Sequence, residues 1–362
     1  MTRTHEVDAW AAGPTGSPMA RPAPATAGLR SLATVAAPLA RFRPPFEFGD
    51  FFAPEDTLLC ALATAHTLAR HADAHDAPPA RLVELTCGSA VVALGPLDRW
   101  PALRAWGADV DADAVSRARR NARVLGHAER ARFAHLGLFD ARLPRWLRRR
   151  APDVVACNPP YVPEPPDAPN ALVAGAGPDG ARHPKRALAA CARAGVPRLA
   201  LSWCSLGDPV GVARAAARRG YVLDALWTAA LADGEYTGGA HAYLRTLPTA
   251  FLDESAATRH ALAPDGAARF GYLLLAGSFV RAADVHSPDA RERARAGVRL
   301  VARLVRRFVR DGLPALATLA GREAPAGAPP LHAYVVDRWD ELSLRAAAHG
   351  PVSGSLPSIS AS

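Results

Sequence analysis

The chain has 362 residues, 49% of them apolar, enough for one large domain with an addition or for two domains. No stretch is long and apolar enough to cross a membrane. A formal charge of +9 suits an acidic partner such as RNA, DNA or a nucleotide, and suits a solvated basic surface almost as well, so charge alone selects no function. Almost all of that charge is arginine, Lys185 being the single lysine. Five cysteines, an odd number with no CxxC pairing, point to a reduced, cytoplasmic compartment with buried thiols rather than a disulfide framework.

Residues 1–44 are rich in Ala, Pro and Gly and read as a disordered tail. They lack the continuous apolar core of a signal peptide. Ordered sequence starts at Phe46-Glu47-Phe48. The run Ala53-Pro54-Glu55-Asp56-Thr57 then opens a helix from Leu58 to His71, with Asp56 or Thr57 placed to accept its orphan N–H groups. Arg81–Leu85 reads as a strand. A second strand, Ala108–Asp111, leads into a helix from Asp113 to Leu125. Further strands follow at Ala131–His135, Asp153–Cys157, Leu199–Trp203 and Tyr221–Leu223. Strands alternating with helices over residues 80–225 predict an α/β fold with a Rossmann-like, doubly wound parallel sheet. Beyond residue 230 the pattern loosens, with Tyr272–Ala276 as a late strand closing the sheet. Ser287-Pro288 is a good start for a helix reaching about Val309. On that helix Val298, Val301, Val305 and Phe308 form an apolar stripe, while Arg299, Arg303, Arg306 and Arg310 share a face best read as solvated. The expected organisation is a main domain over 45–285, a mixed or helical C-terminal extension over 286–350, and a loose tail over 351–362.

The strand Val154-Val155-Ala156-Cys157 runs into Asn158-Pro159-Pro160-Tyr161. Two prolines end the strand rigidly, at the carboxyl end where open α/β sheets bind ligands. The Asn158 amide both donates and accepts, and carbonyls fixed beside the prolines add acceptors. Tyr161 supplies a flat face. Such a pocket suits a planar –NH2, either an amide or the exocyclic amine of a base. Upstream, Glu84–Ala90 lies between strand and helix as a nucleotide-binding turn does, with Gly88 at its centre and Thr86 and Ala90 where further glycines are usual. Asp109 follows Gly88 by 21 residues, the place for a carboxylate that accepts from two ribose hydroxyls. Cys87 and Cys157 read as small buried residues rather than nucleophiles. His66, His71 and His75 lack a third ligand arrangement and read as an exposed polar face, so no metal is expected.

These segments, together with Phe52–Thr57, Asp109–Val115 and Arg120-Asn121, resemble the class I S-adenosylmethionine-dependent methyltransferases. The resemblance is greatest to the release-factor glutamine methyltransferases of the HemK type. Pro163-Glu164-Pro165-Pro166 and Gly177-Pro178-Asp179-Gly180 are similar to the segment after the tetrapeptide in that family. The resemblance covers residues 46–225. It implies S-adenosyl-L-methionine as cofactor and direct transfer of its methyl group to a nitrogen. Asn158 and the carbonyl of Pro159 would hold that nitrogen, with Pro160 stiffening the turn and Tyr161 packing on the acceptor's plane. Asp109 would hold the ribose beside Val110, Glu84, Thr86 and Gly88 the methionine end, and Thr57 would lie near the cofactor. Where the family often has an acid beside the adenine this chain has Gly137, with Asp140 nearby. The five-helix substrate domain that precedes the bacterial enzymes is not matched. The implied acceptor is a protein glutamine or a small molecule, the alternative a nucleic-acid amine; an inactive member serving as an interaction module is the rival of another class.

Overall fold

The computed structural model describes residues 28–49, 52–166, 175–234, 237–284, 289–322 and 328–336. The N-terminal expectation needs correcting. Part of the segment read as tail, residues 28–44, forms strand β1 (Arg30–Ser31) and two short 3-10 turns, Leu32–Val35 and Ala37–Arg41. Leu32, Leu39 and Phe42 are buried there; three large side chains scattered among Ala and Pro are enough to dock the segment.

The elements then follow as α1 (Pro54–His75), β2 (Arg81–Leu85), α2 (Val91–Leu94), β3 (Arg104–Asp109), α3 (Ala112–Val124) and β4 (Ala131–His135). Next come α4 (Leu143–Arg150), β5 (Val154–Cys157), α5 (Arg182–Ala194), β6 (Arg198–Cys204), α6 (Pro209–Arg218) and β7 (Tyr221–Ala232). The chain continues through α7 (His241–Leu244), α8 (Ala256–Leu262), β8 (Gly271–Arg281), α9 (Ala290–Ala320) and β9 (Leu331–Val336). Among the described residues the strands make one nine-stranded sheet in the order β1-β9-β7-β8-β6-β5-β2-β3-β4. All pairings are parallel except those of β8, which runs antiparallel to β6 and β7. This is the Rossmann-like doubly wound sheet expected, with one strand reversed.

Each face carries its own apolar core. Leu58, Leu59 and Leu68 of α1 pack on one side with the 28–48 segment. Leu147, Leu188, Val212, Val305 and Phe308 cover the other. Each such side chain contributes about 1.5–3 kcal/mol on burial, and strands buried on both faces read as continuous apolar runs.

The C-terminal region is less separate than its composition implies. β9 pairs with β7 in parallel register, Leu226 opposite Leu331, so the chain after 286 completes the same sheet. Val301, Val305 and Phe308 of the apolar stripe are fully buried, whereas Arg306 and Arg310 stand exposed at the surface of the same helix. Near the predicted end at Val309 the helix kinks at Gly312 (φ 66°, ψ −155°), with Pro314 following, and a second helix continues to Ala320. A Cβ on Gly312 would meet Thr258 Oγ1 at 2.8 Å, so glycine serves both the dihedral and the close approach. Ser287-Pro288 and the tail over 351–362 lie outside the described residues. Among the described residues no helix is long and apolar enough to cross a membrane.

Candidate functional site

β2 pairs with β3 on one side and with β5 on the other, so the strand order reverses at β2. A crevice at such a reversal, outside the carboxyl ends of the strands, is where open α/β sheets bind ligands. A cavity of about 900 Å³ occupies that place. The turn after β2 contributes Thr86 and Gly88, the end of β3 contributes Asp109 and Val110, the loop after β4 contributes Leu138, Phe139 and Asp140, and the end of β5 contributes Asn158 and Pro160. Phe48, Arg117 and His183 complete the walls.

The turn after β2 needs left-handed backbone three times over: Thr86 has φ 54°, Gly88 φ 49° and Ala90 φ 67°. Thr86 and Ala90 thus stand where glycine would be free of strain, at about 1–2 kcal/mol each. The surroundings hold the turn in shape. Gly88 N–H donates to Asp109 Oδ2 at 2.9 Å, Ala93 N–H donates to Glu84 Oε2 at 2.7 Å, and Asn121 Nδ2 donates to the Ser89 carbonyl at 3.0 Å. A Cβ on Gly88 would meet nothing within 4 Å; it would project into the space a ligand needs. Glu84 itself is not on the cavity wall. It is buried beneath the turn, and burial pushes its carboxyl up to about 8 despite the Ala93 N–H.

Asp109 is half-buried, its Oδ1 accepting from Asp111 N–H at 3.0 Å while Oδ2 takes Gly88. A carboxylate has about four acceptor sites, so two remain for hydroxyls. Asp140 differs. Arg142 donates to both of its oxygens and holds its carboxyl down to about 2.

At the end of β5, Asn158 presents a buried Oδ1 with no hydrogen-bond partner among the described residues, a rare condition that points to a group still to be bound. Pro159 is buried and Pro160 reaches the cavity. Tyr161 corrects an expectation. Its ring is buried, off the cavity wall, and its hydroxyl donates to the Asp56 carboxylate. Asp56 therefore ties the first turn of α1 to the tetrapeptide instead of capping the helix, and burial raises its carboxyl to about 6 against the lowering effect of the Tyr161 hydroxyl. Thr57, one residue on, is also off the wall; its N–H bonds the Ala53 carbonyl at 3.1 Å. Beyond Tyr161 the two similar segments meet: Glu164 N–H bonds the Gly177 carbonyl at 3.2 Å, and Val162 bridges Gly175. All five cysteines are buried and free, and burial pushes the Cys87 and Cys157 thiols well up, so neither is a ready thiolate. His71 is buried and stacks on His75 at 4.2 Å, against the exposed face expected.

Phe48, Arg117, Leu138, Phe139 and His183 are among the wall residues that sequence reasoning misses. The only signals that could have marked Phe139 and His183 are the place of the one in the loop after β4 and of the other at the start of α5.

No family model matches the chain. Over 111 residues it is 34% identical to a release factor glutamine methyltransferase of Chlorobaculum tepidum, a match covering 31% of this chain and 37% of that protein. The chain thus spans little over a third of the curated relative it matches. Among solved structures, the E. cuniculi Mtq2–Trm112 complex, responsible for methylation of the eRF1 termination factor, aligns with 59% of this chain and 93% of its own at 16% identity and a TM-score of 0.30. The ribosomal protein L11 methylase of Lactobacillus delbrueckii subsp. bulgaricus covers 64% and 80% at 10% identity and a TM-score of 0.36. TrmN from Thermus thermophilus covers 61% and 48% at 15% identity and a TM-score of 0.33. The fold assignment stands on the strand order itself, and the curated match is in keeping with the resemblance to release-factor glutamine methyltransferases.

Proposed function

We propose that this chain is an S-adenosylmethionine-dependent methyltransferase that acts on a planar amide or amine nitrogen. The observation that carries the reading is Asn158, which lines the same cavity as Asp109 and whose buried Oδ1 has no hydrogen-bond partner among the described residues. The residues present fit the cofactor: a cavity of about 900 Å³, a carboxylate with free acceptor sites, and a glycine turn with open space beside it. When bound, the cofactor supplies an electrophilic sulfonium methyl group. Asp109 holds hydroxyls, Gly88 permits close approach, and Asn158 accepts from the N–H of the methyl acceptor. The Pro159 carbonyl is a second acceptor, and together the two orient the nitrogen lone pair. Water exclusion by the apolar walls strengthens these contacts.

A protein glutamine, in the release-factor manner, is the acceptor favoured by the curated relative. A second reading has its own support. Arg142, Arg145 and Arg149 line a shallow cavity of about 280 Å³ with Trp146 on α4, a surface able to meet phosphates of a nucleic acid. Against it, a flipped base would stack on Tyr161, and that ring is buried off the cavity wall with its hydroxyl donating to Asp56.

The test incubates purified protein with methyl-labelled S-adenosylmethionine and cell extract, with Asn158→Ala as control, and separates protein, nucleic-acid and small-molecule fractions. Label in the protein fraction with wild type only is the expected result. Label in the nucleic-acid fraction would move the assignment to the second reading. Absence of both transfer and cofactor binding would leave an interaction module on a methyltransferase fold.

A further inference from the structure

At one end of the cavity this chain has a polar arrangement of its own, whose meaning rests on S-adenosylmethionine being the cofactor. Gly137 stands where the resemblance places an acid for the adenine. Asp140, the carboxylate on the same loop, is committed: Arg142 donates to Oδ1 at 2.8 Å and 3.0 Å and to Oδ2 at 2.6 Å and 3.1 Å. Little of its accepting capacity is left for a base.

The opposite situation holds for His183. It is the second residue of α5, it lines the cavity, and its Nδ1 is buried with no hydrogen-bond partner among the described residues. The imidazole is fixed against Phe139, edge to face at 4.9 Å and 85°. Arg182 in turn lies 4.7 Å over the Phe139 ring and Arg186 5.8 Å from its centre. Burial, aided by the charge of Arg182, pushes His183 down to about 4. The ring is therefore neutral at pH 7 and keeps one nitrogen as an acceptor.

We propose that His183 reads the purine of the bound nucleoside, its ring nitrogen accepting from the exocyclic amine of adenine in the place of the missing acid. Phe139 is the positioning residue that holds the imidazole. Hypoxanthine presents a carbonyl where adenine presents the amine, and it is met only by the tautomer that carries the proton on that nitrogen, so the accepting tautomer favours adenine.

The experiment is calorimetric titration of S-adenosylhomocysteine and S-inosylhomocysteine into the full chain, its His183→Leu and His183→Gln variants, and Asp140→Asn, with thermal melts of each. Wild type is expected to prefer the adenosyl compound by about ten-fold or more. His183→Leu brings the ratio close to one, His183→Gln, whose amide can turn to accept from the amine or to donate to the carbonyl, binds both compounds with a reduced ratio, and Asp140→Asn leaves it unchanged. An undiminished preference in His183→Leu overturns the inference and leaves the cofactor reading standing. So does loss of preference in Asp140→Asn, which decides the matter if the leucine variant does not fold. Wild-type protein with a normal melt that binds neither nucleoside overturns the cofactor reading itself.

Discussion

Asp109 and Asn158 face one cavity from the ends of β3 and β5, the two strands that flank β2, yet they stand in opposite states of engagement. Both oxygens of Asp109 are bound by backbone N–H groups of its own turn and of the turn after β2. Asn158 Oδ1 is buried and has no hydrogen-bond partner among the described residues. One end of the site is held by the fold before any ligand arrives; the other keeps an acceptor in reserve, under the proposed function for the nitrogen that receives the methyl group. Rigid positioning at one end and a reserved acceptor at the other is what orientation-driven transfer requires.

Breaking the reserved end should give the largest effect. Asn158→Ala is expected to lower kcat/KM by roughly 10²–10³-fold, with the melting temperature and S-adenosylhomocysteine affinity near wild type. Single-turnover rates and calorimetry check the two halves of that statement, and a fully active variant would sink it. Asp109→Ala should instead show in binding and folding together. With two backbone donors released, affinity is expected to fall about ten- to hundredfold and stability by ~2 kcal/mol, read by calorimetry and urea unfolding.

Glu84 sharpens the comparison from below the held end. Its folded carboxyl titrates at about 8, above the ordinary value near 4.3, so the folded chain binds this proton more tightly than the unfolded one. Stability from this group is greatest at acid pH and declines as pH rises from about 4 toward 8. Glu84→Gln keeps an acceptor for Ala93 and should flatten that decline by up to ~1.4 kcal/mol per pH unit; urea unfolding between pH 5 and 8 measures it, and an unchanged slope would refute it. The smallest effect is expected at Ala90→Gly, where relief of the left-handed strain gains ~1 kcal/mol, seen as a modest rise in melting temperature without loss of ligand affinity.

How much of this is legible in the sequence depends on how local the cause is. Strands β2 and β5 are readable because short, largely apolar runs stop at a turn centred on Gly88 and at Asn158-Pro159, and the turn Glu84–Ala90, Asp109 and Asn158 announce themselves by spacing. β7 is readable only over Tyr221–Leu223, since Asp224 interrupts the run. In the fold the strand continues to Ala232 through a register shift between Leu223 and Ala225, while Asp224 meets His66, Arg70 and Arg293. The reversal of β8 leaves no mark, because an apolar run has no arrow. The Tyr161–Asp56 contact spans 105 residues, and the pairing of Phe139 with His183 is likewise a product of topology. Neither is a pattern that one segment can display.

Lys185 carries a practical consequence of the arginine bias. As the single lysine of the chain, it makes amine-directed labelling of side chains address one place, the first turn of α5, two residues from His183. That amine is clamped by Asp179 at 2.9 Å and Asp208 at 3.1 Å. Burial works against its charge, but the two carboxylates outweigh burial and keep its pKa above the ordinary lysine value. A fluorophore ester should therefore couple slowly while the clamp is closed and faster whenever the start of α5 loosens, so that the protein has a built-in reporter of that helix end, readable by mass spectrometry of one peptide.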